Sequence, residues 1–120
     1  MEQQLGRVLA ELQTSSGDIE ASAVVSEDGL IMASSLPKDV EEGRVAGMSA
    51  VLLSMGSRAA IELRRGDLEQ VTIQGSVGYV VITQAGRHSV LVAIANRGAK
   101  LGLLNLNMSR GAAAIGAALS

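Results

Sequence analysis

Few residues in this chain have the chemistry to catalyse. His88 is the one histidine and cysteine is absent, which excludes a thiolate nucleophile, a disulfide and a thiolate zinc site. A lone histidine also leaves no histidine-built metal site within one chain. His88 follows Gly86-Arg87 at the start of a strand, with no serine, aspartate or second histidine motif around it, and reads as a turn or surface residue. The carboxylate pairs Glu27-Asp28 and Glu41-Glu42 have the composition for acid/base work. One falls in a hairpin turn and the other in the first turn of a helix, where acids are expected for structural reasons. Gly75-x-x-Gly78 lacks the lysine and following helix of a phosphate loop, and Gly98 to Gly102 lacks the spacing of a dinucleotide fingerprint. No catalytic residue, cofactor site or metal site is expected, and the chain does not read as an enzyme.

One polar constellation stands apart. At about 100° per residue, Arg44, Arg58 and Arg65 share a narrow line of one long helix with Gly47, Val51, Ser54 and Glu62. A solvated helix face accounts for such a line. The alternative is a docking face formed by Arg44, Val51, Ser54, Arg58 and Arg65, because arginine anchors interfaces and the flanking residues are small enough to admit another surface.

The elements that must position this line follow from periodicity. Leu5, Val8, Leu9 and Leu12 predict an amphipathic helix over 2–15, with Gly17 as its stop. Ile19, Ala21, Ala23 and Val25 alternate with polar residues up to Asp28-Gly29, after which Leu30 to Ala33 resume, the mark of a hairpin. Pro37 ends the second strand, and Asp39 with Glu42 has the spacing of a capping box. The helix predicted from Val40 to Arg65, stopped by Gly66, is apolar over two-thirds of its circumference. One face of a sheet cannot cover that arc. Residues 68–74 (LEQVTIQ) read as an edge strand, Tyr79 to Ala85 as its partner, and the apolar run Val90 to Ala95 as a central strand covered on both faces. A final helix runs from Ala99 to Leu119, with Leu101, Leu104, Met108 and Ile115 on one side. The order α-β-β-α-β-β-β-α predicts one domain over 1–120: a three-layer α/β sandwich, of the α+β kind, in which a single five-stranded antiparallel sheet lies between helices.

Composition narrows the partners. The chain has 120 residues, 48% of them hydrophobic, with Tyr79 the sole aromatic. Ten basic against twelve acidic residues give a net charge of −2, so no positive field draws it to phosphate backbones, and the rings on which bases stack are missing. Nucleic acid is not an expected partner. No continuous run of eighteen apolar residues occurs, and the start lacks the basic, apolar character of a signal peptide, so the expectation is a cytoplasmic protein with no membrane insertion.

The hairpin Ala23-Val-Val-Ser-Glu-Asp-Gly-Leu-Ile-Met-Ala-Ser-Ser-Leu-Pro37 resembles that of the roadblock/dynein light chain family. So do the small-residue helix ending Ala60-Ile-Glu-Leu-Arg-Arg-Gly-Asp-Leu-Glu-Gln-Val-Thr-Ile73 and a last helix approached through Lys100-Leu-Gly-Leu-Leu-Asn-Leu-Asn-Met108. The resemblance spans nearly the whole chain and is nearest to the small stand-alone prokaryotic members of the MglB type. It implies a roadblock/profilin-like architecture and a non-catalytic homodimer. In that dimer the edge strand pairs with its copy through Val71, Thr72 and Ile73, and the long helices pack through Ala46, Ala50, Leu53 and Ala60. It further implies a Ras-like small GTPase as partner, with the chain modulating its GTP hydrolysis or localisation. Independently, a helix apolar on two sides and an edge without proline or lysine both ask for a covering surface. The competing reading is a small-molecule-sensing or general interaction domain. It would need an apolar pocket with convergent polar groups, which the small aliphatics here do not supply.

Overall fold

The structure is a computed structural model describing residues 1–120. Its elements are α1 (Glu2–Ser15), β1 (Ile19–Ser26), β2 (Ile31–Ser35), α2 (Glu42–Glu62), β3 (Gln70–Gln74), β4 (Gly78–Gln84), β5 (Ser89–Asn96) and α3 (Leu101–Leu119). The strands form one five-stranded sheet in the order β2-β1-β5-β4-β3, every pairing antiparallel. The apolar run in β5 takes the central position, as a strand buried on both faces must. β3 is an edge, and β2 is the other.

The pleat sends alternate residues to two cores. Toward one face, Val24, Val81, Leu91 and Ala93 pack with Leu5, Leu9 and Leu12 of α1 and with Leu104, Met108 and Ile115 of α3. Toward the other, Ala23, Val25, Ile82, Val90 and Val92 pack with Val45 and Ala46 of α2. Two helices therefore cover one face and α2 alone covers the other. The layered α+β arrangement is the one expected from the order of elements.

Three local expectations are corrected. α2 begins at Glu42, not Val40. Its N-cap is Glu41, with no side-chain cap hydrogen bond, so Asp39 and Glu42 make no capping box; the Glu42 carboxylate instead accepts a hydrogen bond from Ser34 Oγ at 3.0 Å, tying the helix start to β2. α2 also ends before Gly66. Arg64 N–H donates to Ile61 O and Arg65 N–H to Ala60 O at 2.7 Å, a Schellman closure with Arg64 in the left-handed position at φ 57°. Arg65 therefore lies outside the helix. In α3, Leu101 is 39% exposed, and the side facing the sheet is completed by Asn107, Gly111 and Ala112.

α2 starts beside Ser34 of β2 and passes the β1–β2 turn about two to three turns on, where a Cβ on Gly29 would stand 3.5 Å from the Ala50 Cβ. It reaches β3 at Gly56, whose missing side chain leaves room for Leu68 and Val71: a Cβ there would approach them to 3.1 and 3.0 Å. The helix thus crosses the sheet from the β2 side to the β3 edge and continues beyond Gly56 for about 9 Å.

Candidate functional site

The circumference of α2 divides into three arcs. Val45, Ala46 and Ser49 are buried, and Leu53, Gly56 and Ala60 half-buried; this arc faces the sheet. Ala46 is 1% exposed and so does not offer a partner helix the surface expected of it, whereas Leu53, half-buried against the same core, keeps part of its surface free. Ala50 and Ala60 lie at the margins of that arc, half-buried.

The second arc is an apolar flank. Met48 is 54% and Met55 59% exposed; Leu52 between them is half-buried and Ala59 exposed. Their spacing of four, three and four is that of a helix-pairing seam. All four belong to the apolar arc read from the sequence. A helical wheel has no inside, however, and only the position of the sheet shows which part of the arc is left bare.

The third arc faces outward and carries Arg44, Gly47, Val51, Ser54, Arg58 and Glu62, all exposed. Arg58 Nε pairs with Glu62 Oε1 at 3.2 Å, a solvent-exposed i,i+4 contact of small energetic weight. Arg44 forms no ion pair. Arg65 departs from the line; its Nε donates to Leu63 O at 3.1 Å in the turn after the helix.

Beside these arcs lies the β3 edge. β3 pairs only with β4. Val71 points to the α2 side and is half-buried, while Thr72 and Ile73 are exposed. On the same face, beyond the reach of α2, Ile73, Val77, Val80 and Ile94 line an open groove of about 450 Å³.

The other chemistry-bearing groups do not assemble into a reaction centre. His88 Nδ1 lies 3.0 Å from Glu27 Oε1 with both side chains exposed. They border an open cleft of about 760 Å³ between the β1–β2 turn, the β4–β5 turn and the end of α3. Ser89, the nearest hydroxyl in sequence, donates to Ala85 O at 2.5 Å and is 2% exposed, so it is not presented as a nucleophile. No three His, Asp or Glu side chains gather as metal ligands would, and no helix is long and apolar enough to cross a membrane.

Comparison with known proteins agrees with this geometry. The chain is 37% identical to the uncharacterized protein MJ0310 of Methanocaldococcus jannaschii over 108 residues, 90% of this chain and 93% of that one. It superposes on the gliding protein MglB of Thermus thermophilus with a TM-score of 0.87 at 21% identity, covering 97% of this chain and 88% of the other. The profilin of Schizosaccharomyces pombe follows at a TM-score of 0.66 and 13% identity, over 90% and 93% of the two chains. These two solved structures establish a shared fold. The Roadblock/LC7 domain profile matches residues 5–95, from α1 to the end of the central strand, and with that match the layered sheet, the crossing helix and the bare edge have a common explanation: the chain belongs to the Roadblock/LC7 domain family.

Proposed function

We propose that this protein is a non-catalytic homodimer that binds a Ras-like small GTPase and modulates its GTP hydrolysis or its location. The observation that carries the reading is the bare apolar flank of α2 beside the unpaired β3 edge. A two-fold axis through β3 satisfies both at once: Val71, Thr72 and Ile73 pair with their copies into a continuous sheet, and the Met48-Leu52-Met55-Ala59 seams meet. The overhang of α2 supports the same arrangement. From Gly56, where it meets Val71 of the edge strand, the helix runs on for about 9 Å. In an antiparallel β3 pair, that projection carries the exposed Ile61 and Leu63 over the partner's groove of Ile73, Val77, Val80 and Ile94.

Pairing in this way leaves Arg44, Val51, Ser54 and Arg58 of each protomer outward on one composite surface, with Arg58 nearest the axis and Arg44 at the margins. The GTPase docks there. The similarity to MglB and family membership point to that partner class, and catalysis belongs to the GTPase. The test is GTP hydrolysis by the Ras-like GTPase encoded nearest to this protein, measured with and without it and with Arg58→Ala. A changed rate that Arg58→Ala weakens supports the reading; no binding and no change in rate with the intact protein removes it.

A further inference from the structure

Helix α3 holds a single charged residue, Arg110, in nineteen positions. Its solvent side carries Leu103, Leu106, Arg110, Ala113, Ala114 and Ala117, all exposed, with Leu103 at 54% and Leu106 at 46%. A helix covering a core is expected to turn charge to the water. This one turns leucine and alanine. Next to that side, α1 and α3 enclose a groove of about 240 Å³ bordered by Glu11, Arg110 and Asn107. Asn107 is 9% exposed, and its amide makes no hydrogen bond within the chain. Neither Glu11 nor Arg110 has an ionic partner. An asparagine that is mostly buried but whose amide reaches the groove, and two opposite charges without ionic partners, thus open onto an apolar surface.

We infer that this face is a second self-association surface, on which a second copy of the chain lays its own α3 antiparallel. Centred on Arg110, such a pairing sets Leu103 opposite Ala117 and Leu106 opposite Ala114. Large meets small in both directions, as an isologous contact requires. The two Arg110 side chains approach at the axis, where Glu11 on the neighbouring wall of each groove supplies the opposing charge across the interface. Asn107 lies between them and gains the polar partners its own chain does not provide. A lipid surface is a poorer occupant, because one arginine offers little to anionic headgroups. This face lies on the opposite side of the sheet from α2, so the inference does not rest on the edge-strand dimer. With both contacts made, dimers join into larger assemblies.

Sedimentation equilibrium from micromolar to sub-millimolar protein tests it, with Met55→Asp used to break the α2 contact and Leu106→Asp to break the α3 contact. The intact chain is expected to grow beyond a dimer as concentration rises, Leu106→Asp to stop at the dimer, and Met55→Asp to retain a dimer held by α3. Arg110→Glu should weaken the α3 contact by about tenfold, and Glu11→Arg with Arg110→Glu should restore it. A Met55→Asp protein that stays monomeric throughout overturns the inference, as does a Leu106→Asp protein that assembles like the intact chain. If instead the intact chain stops at a dimer and Leu106→Asp makes it a monomer, the edge-strand reading fails and this one stands.

Discussion

At Gly78 a Cβ would stand 2.2 Å from the Ala95 carbonyl oxygen, a clash with backbone inside the β4–β5 ladder. Gly78→Ala is therefore expected to cost about 1–3 kcal/mol, read as a lowered midpoint of chemical unfolding. Gly6 is the opposite case. Nothing lies within 4 Å of where its Cβ would be, and it sits in the exposed part of α1, so Gly6→Ala should add about 0.8–1 kcal/mol through helix propensity alone. Arg64 gives a third test at this scale. It is the one non-glycine with positive φ, and Arg64→Gly relieves a left-handed cost of about 1–2 kcal/mol against a smaller gain in unfolded-chain entropy, for a net stabilisation of roughly 0.5–1 kcal/mol. A shift of the unfolding midpoint the other way would show that the Arg64 side chain contributes more than its backbone costs. The sequence placed a helix stop near here but favoured Gly66, because glycine is the usual left-handed residue; which residue closes the turn depends on the bonds to Ala60 and Ile61.

Among the elements, α2 tests how a helix divides between its own core and a partner. Ala46 and Met55 were both legible as apolar positions, yet one is buried and the other bare. Ala46→Leu should overpack the contact with the sheet and destabilise the monomer by about 1–3 kcal/mol. Met55→Asp should leave monomer stability within about 0.5 kcal/mol while shifting the edge-strand dimer toward monomer. Equilibrium unfolding and light scattering separate the two effects; a Met55→Asp protein that stays an edge-paired dimer argues against the seam. The long helix and its two-sided apolar character were readable from residue spacing. The direction in which it crosses the sheet was not, because the strand order arises from pairings between residues as far apart in sequence as Ile19 and Ala95.

For the whole molecule, the two faces of the sheet have different fates. The α1/α3 face has its core closed by two helices, whereas the α2 face is only partly roofed and leaves Ile73, Val80 and Ile94 to an open groove. That asymmetry puts the proposed pairing on one side and frees the other for further contacts. Adding Ile73→Lys, a charge on the edge itself, is expected to lower dimer affinity without unfolding the chain, since charged edge residues oppose strand pairing. Arg58→Ala should leave the proposed dimer intact and reduce only the proposed effect on a GTPase, read as its hydrolysis rate.

The sequence by itself determined the eight elements to within a few residues, the central place of β5 and the edge character of β3, since each follows from local periodicity. The tertiary structure alone decided which apolar residues stay bare. Met48 and Met55 differ from Val45 and Ala46 only by where the sheet lies, and Leu103 and Leu106 from Leu104 and Met108 only by where α1 and β5 lie. Exposure is a property of two surfaces meeting, and a sequence specifies one of them at a time.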